Sequence, residues 1–113
     1  ISIHSPLNDK TRNLINAERI ALLKPNAVLV NVGRGGIVHE EALANALNAD
    51  QILGACIDVF DREPVKADNP LLKVDKTHKL VMTPHIAWAS REAREKLLSI
   101  IVGHISKFKS DRT

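Results

Sequence analysis

The sequence predicts an α/β fold built on a parallel sheet. Apolar, β-rich runs alternate with segments of helical spacing along the 113 residues, the order that generates parallel strands joined by right-handed crossovers. Residues 27–32 (AVLVNV) are apolar almost throughout, the pattern of a strand buried on both faces. Arg34, Glu63 and His85 each stand at or just past the end of an apolar run, and an open parallel sheet binds its ligands beyond the carboxyl ends of its strands. An arginine, an acid and a histidine brought to one edge would make a site for an anionic substrate that gives up a proton.

Residues 1–4 (ISIH) read as the end of a strand, and Pro6 with the polar run Asn8 to Arg12 as the loop after it. Asn16 is placed to cap a helix through Arg19–Leu23, with Ile15 and Ile20 at the spacing of a hydrophobic staple. Pro25 disfavours helical geometry at Lys24 and stops that helix. The strand 27–32 is broken by Gly33, Gly35 and Gly36. A second helix begins near Glu40, with His39 in the N-cap slot and two acids in the first turn, where the macrodipole favours them. Val38 and Leu43 repeat the staple spacing, and Leu43, Ala46 and Leu47 line one face. Residues 52–60 give the next strand, 61–78 a polar loop containing Asn69-Pro70, and 79–83 a short last strand. Ser90 caps a long helix with Leu97, Leu98, Ile101, Val102, Ile105 and Phe108 at its apolar positions. At about 19 residues it would be ~28 Å long, enough to cross between domains. A chain that opens on a strand and closes on an oversized helix is expected to be part of a larger protein.

Hydrophobic residues make up 44% and charged residues 26%, a balance that predicts a folded domain rather than a disordered one. No apolar stretch approaches the ~20 residues of a membrane helix. The single Cys56 lies in an apolar run, where a buried, reduced thiol is the expectation; a cytoplasmic location follows from it. One cysteine excludes an internal disulfide, and His4, His78 and His104 have no metal-ligand spacing. The net charge of +3 and pI near 9.3 are mild. With aromatics at only 3%, base-stacking platforms are not expected, so neither nucleic acid nor membrane is anticipated as a partner.

Gly33-Arg34-Gly35-Gly36-Ile37-Val38 follows a strand and precedes a helix, with Asp58 at the distance of a ribose-binding acid. It is not read as a dinucleotide fingerprint. Val38 occupies the third glycine position, His39 opens the helix, and Asp58 sits late in its own strand. The glycines either let backbone pass close to a ligand while Arg34 points into the site, or make an ordinary strand-to-helix turn. By residue type alone, plainer roles stay open for the rest. Arg34 could be a surface ion-pair partner, Glu63 a turn residue before Pro64, His85 a capping or packing histidine, and Trp88 a packing anchor. Asp58 in a buried strand needs partners whatever its role.

Four ordered motifs carry a resemblance: Asn31-Val-Gly-Arg-Gly-Gly-Ile-Val38, Glu41-Ala-Leu43, Asp58-Val-Phe-x-x-Glu-Pro64 and Thr83-Pro-His-Ile-Ala87. Together with His4-Ser-Pro-Leu7 and Thr11 to Ile15, they resemble the D-isomer-specific 2-hydroxyacid dehydrogenase family over nearly the whole chain. The stretch His85 to Arg94 looks most like its glycerate dehydrogenase (hydroxypyruvate reductase) branch. The resemblance implies a Rossmann-like three-layer parallel sheet. Residues 1–113 would be the C-terminal half of an NAD(P)-binding domain, and the helix over 90–110 would return toward a substrate domain. The family's G-x-G-x-x-G turn and ribose-binding acid are not in this sequence, and the chain alone is expected to be inactive.

By the same resemblance, Arg34 would bind the substrate carboxylate and its 2-oxo or 2-hydroxy oxygen, His85 would be the acid/base, and Glu63 would fix the histidine tautomer. NAD or NADP would be held by Ser5, Thr11, Val32, Gly33, Arg34, Asp58, His85, Ala87 and Trp88. The substrate would be a small 2-oxo or D-2-hydroxy acid such as hydroxypyruvate or glycerate, and the complete protein a homodimer. An NAD-responsive, non-enzymatic corepressor of the same family is the alternative. An open strand edge at residues 1–4 and the bare stripe of the last helix predict self-association of the chain on its own.

Overall fold

The computed structural model describes residues 1–112. Four parallel strands stand in the order of the sequence: β1 (Ser2–Ile3), β2 (Val28–Asn31), β3 (Gly54–Ile57) and β4 (Leu80–Met82). Ile3 lies opposite Asn31, Asn31 opposite Ile57 and Ile57 opposite Met82. Pairing runs one residue past the strands at both ends, through Leu53 N–H to Ala27 O (3.0 Å) and Asp58 N–H to Asn31 O (3.0 Å). The α/β, Rossmann-like architecture expected from the sequence is therefore present.

Between β1 and β2 lies α1 (Ala17–Ala21); Asn16 caps it as predicted, its side-chain oxygen accepting from Arg19 N–H at 3.0 Å. The helix ends before the predicted Leu23. The amides of Leu22 and Leu23 turn back to carbonyls three residues earlier, tightening the last turn well ahead of Pro25. Helix α2 (Glu40–Asn48) is capped by the His39 ring, whose Nδ1 accepts from Ala42 N–H at 3.2 Å. Leu43, Ala46 and Leu47 are buried on the predicted face.

The core lies between these helices and one face of the sheet. Ile3, Leu29, Ala55 and Ile57 meet Ile20, Leu43 and Leu47 there. The opposite face is different. Val28 is exposed, and Val30 and Cys56 are half-buried, so β2 is covered on one face where its apolar run predicted two. The expected buried thiol is likewise only partly enclosed.

The loop 61–78 contains two single turns of 3-10 helix that the residue pattern did not signal, Pro70–Lys73 and Thr77–Lys79. The first is capped by Asn69, which accepts from Leu71 N–H at 2.9 Å. It drives Leu71 and Val74 into the core. Its polar composition disguised a segment that contributes two apolar side chains.

Helix α3 (Arg91–Ser110) begins at Ser90, whose Oγ accepts from Ala93 N–H at 3.2 Å. None of its side chains is buried. It projects from the sheet and stretches the molecule to 63 × 27 × 27 Å, with a radius of gyration of 18.0 Å where a chain of this length packed as one globule has about 13 Å.

Candidate active site

At the carboxyl end of β3 and β4, His85 and Glu63 meet. His85 Nδ1 donates to Glu63 Oε2 at 2.7 Å. The other carboxylate oxygen, Oε1, accepts from Phe60 N–H at 3.0 Å. That amide is the main influence holding the Glu63 carboxyl below its ordinary range; burial opposes it, and His85 adds to it. Glu63 is thus a carboxylate that fixes the ring with Nδ1 protonated, leaving Nε2 as the ring nitrogen it does not engage.

His85 has φ +56, the left-handed region that side chains other than glycine rarely enter. What keeps it there is Asp58. This residue follows β3 and is 3% exposed. Its Oδ1 accepts from Thr83 Oγ1 (2.6 Å) and Ile86 N–H (2.9 Å), its Oδ2 from Ala87 N–H (3.0 Å), and its backbone oxygen from His85 N–H (2.9 Å). Burial pushes the Asp58 carboxyl up, but Thr83 and the two amides outweigh it, and the acid stays below its ordinary value. Trp88 is exposed and donates from Nε1 to His85 O at 2.7 Å, closing the turn.

Arg34 stands in a second cleft, of about 340 Å³, with His4, Ser5, Pro6, Val32 and Gly33. Its Nη1 donates to Gly33 O at 2.8 Å. Among the described residues no hydrogen bond or ion pair joins Arg34 to Glu63 or His85. Of the three predicted side chains, two are in contact and the third lies at the neighbouring strand end. The Arg34 and Glu63 loops do touch through backbone. A Cβ on Gly35 would fall 1.8 Å from Phe60 O, so only glycine permits the approach. Glu40 adds a clasp, accepting from Asp61 N–H and Asn69 Nδ2, each at 2.9 Å.

Thr11, another predicted site residue, is engaged within its own loop. Its hydroxyl donates to Pro6 O at 2.7 Å and accepts from Asn8 N–H at 2.9 Å, so it braces the loop bearing Ser5. Asn31, Thr83 and Glu40 build the site without standing out in the sequence as site residues. Asn31 carried a signal as a polar residue within AVLVNV, Thr83 as the first residue of the Thr83–Ala87 motif and Glu40 as a helix-start acid; their partners, distant in sequence, carried none.

The sequence model of the D-isomer specific 2-hydroxyacid dehydrogenase NAD binding domain matches residues 1–87. A glycerate dehydrogenase of Methylorubrum extorquens is 43% identical over 108 residues, covering 96% of this chain and 34% of the relative. Among solved structures, a D-lactate dehydrogenase of Aquifex aeolicus complexed with NAD and lactic acid has a TM-score of 0.82 at 28% identity, over 98% of this chain and 37% of that one. An acyclic imino acid reductase in complex with NADPH and D-Arg has a TM-score of 0.83 at 34% identity, over 98% and 34%. The family match and the fold together define an NAD-binding domain. The chain belongs to the D-isomer-specific 2-hydroxyacid dehydrogenase family, and it spans about a third of the length of the curated relatives it matches.

The residues present suit such a coenzyme. The cleft at the ends of β1 and β2 combines accessible backbone with the Ser5 hydroxyl, the His4 ring and the Arg34 cation, a donor set matched to phosphate and carboxylate oxygens.

Proposed function

We propose that the complete protein carrying this chain is an oxidoreductase that moves a hydride between NAD(P)H and a small 2-oxo acid or its D-2-hydroxy counterpart, hydroxypyruvate and glycerate being the first pair to try. The observation that carries this reading is the His85–Glu63 contact of 2.7 Å at the sheet's carboxyl edge. Bound coenzyme would supply or receive the hydride.

Everything else falls to side chains. His85 Nε2 takes the hydroxyl proton of the 2-hydroxy acid in oxidation and returns it in reduction. Glu63 stabilises the imidazolium that forms between. Arg34 pairs with the substrate carboxylate through its planar donors. Ser5, Val32, Gly33, Ala87 and Trp88 line the coenzyme's path, with Thr11 bracing the loop beneath it. Asp58 accepts from the carboxamide through the one Oδ2 lone pair its three internal donors leave free. Helix α3 returns toward a substrate domain, and the working form is a cytoplasmic homodimer.

The test is NADH and NADPH consumption by the complete protein with a panel of 2-oxo acids, wild type beside His85→Asn. Asparagine tolerates the left-handed backbone, so the variant should fold and hold coenzyme while turnover falls about 10³-fold. Equal turnover in the two would refute the assignment of His85.

A further inference from the structure

Asn31 is the last residue of β2 and is 1% exposed. It faces the core, with buried Ile3 and Ile57 opposite it in the neighbouring strands. An apolar side chain would serve that layer better, because a buried amide is tolerated only when its hydrogen bonds are made. Here both ends are used on one short loop. Oδ1 accepts from Gly33 N–H at 3.1 Å, and Nδ2 donates to Arg34 O at 3.0 Å.

Arg34 is exposed and Gly33 half-buried, so the loop itself lies at the surface rather than in the core. What Asn31 contributes is geometry. It fastens the Val32–Gly33 and Arg34–Gly35 peptides, on either side of Arg34, to the sheet, while Gly35 pins the same loop against Phe60. Meanwhile the backbone oxygen of Asn31 accepts from Asp58 N–H at 3.0 Å, and Asp58 holds the His85 turn. Arg34 and His85 therefore both hang from this one residue, Arg34 through its side chain and His85 through its backbone.

We propose that Asn31 is a positioning residue for Arg34: its side-chain amide sets where the guanidinium meets the substrate carboxylate. The inference rests on the substrate-binding role given to Arg34 above. Replacing the side chain leaves the backbone bond to Asp58 in place, so the arginine arm is released and the histidine arm is not.

The experiment is a double-mutant cycle in the complete protein with Asn31→Leu, Arg34→Gln and the pair, reading KM and kcat for the 2-oxo acid and melting temperature. Asn31→Leu should raise KM about tenfold in the wild-type background, as a modest misplacement of a binding group does, and less than twofold on top of Arg34→Gln. The pH profile of kcat should not move. An equal KM penalty in both backgrounds, or none in either, overturns the proposal while leaving the Arg34 assignment standing. An Arg34→Gln enzyme with unchanged KM overturns both. Should leucine prove too bulky to fold, Asn31→Ala passes through the same cycle, and the same pattern of KM changes supports or overturns the proposal.

Discussion

The left-handed backbone of His85 is the costliest local feature of the site, since a non-glycine residue held there loses on the order of 1 kcal/mol or more. Asp58 offsets it with four hydrogen bonds reaching residues 83, 85, 86 and 87. Asp58→Asn removes the carboxylate that accepts from Thr83, Ile86 and Ala87 together, and it leaves a buried group mismatched. We expect a loss of about 1–3 kcal/mol in urea unfolding, together with lower turnover because the His85 turn loosens. Glu63 is a different case. Glu63→Gln keeps an acceptor for Nδ1–H only by turning its NH2 toward Phe60 N–H, and it removes the charge that favours the imidazolium. Turnover should drop about tenfold to a hundredfold, more in reduction, which needs the protonated ring, than in oxidation; steady-state assays in both directions would show equal losses if the charge did not matter.

Among the elements, the junction of the Arg34 loop with the Glu63 loop is the least forgiving. Gly35→Ala would place a methyl inside the Phe60 carbonyl, and one loop must move. We expect a loss of about 3 kcal/mol, seen as a fall in melting temperature. Gly103 is the contrasting control. It lies within α3 with nothing near its missing Cβ, so Gly103→Ala should raise helicity and favour α3 by about 1 kcal/mol; circular dichroism reads it directly. The predicted caps at Asn16, His39 and Ser90 all form, because a cap requires only residues three positions apart. Strand ends were less legible. Residues 52–60 narrowed to Gly54–Ile57 since β2 offers ladder partners only from Val28 to Asn31; the Asp58 side chain meets the Thr83–Ala87 segment, a contact with no local signature.

For the molecule as a whole, acid should be destabilising. Lys76 and then Lys79 lower the Asp50 carboxyl from 3.8 to about 2, with Lys79 Nζ 2.6 Å from Oδ1. Asp58 and Glu63 are also held below their ordinary values. Each group binds protons more readily in the unfolded chain. The stability they contribute is thus complete above about pH 4.5 and drains away as pH falls through their lower folded values. Melts from pH 7 to pH 3 should show a falling midpoint, and a flat profile would contradict the three assignments. The body also leaves apolar surface bare. Leu97, Leu98, Ile101, Val102, Ile105 and Phe108 on α3 are each more than 40% exposed, a stripe large enough to drive association. Sedimentation of the chain alone should show concentration-dependent self-association, whereas a monodisperse monomer would count against it. Among the described residues no helix is long and apolar enough to cross a membrane.

What could be read from the order of residues was whatever depends on neighbours: the alternation of strand and helix, the capping residues, the face of α2 that turns inward, and the motifs that mark the family. Periodicity and capping act over three or four residues, so they are written locally. The meeting of His85 with Glu63, 22 positions apart, the gathering of Thr83, Ile86 and Ala87 around Asp58, and the separate cleft of Arg34 were decided only when the strands paired in register. Hydrogen bonds across such distances depend on angles and ångströms that the parallel sheet supplies, and no stretch of sequence contains them.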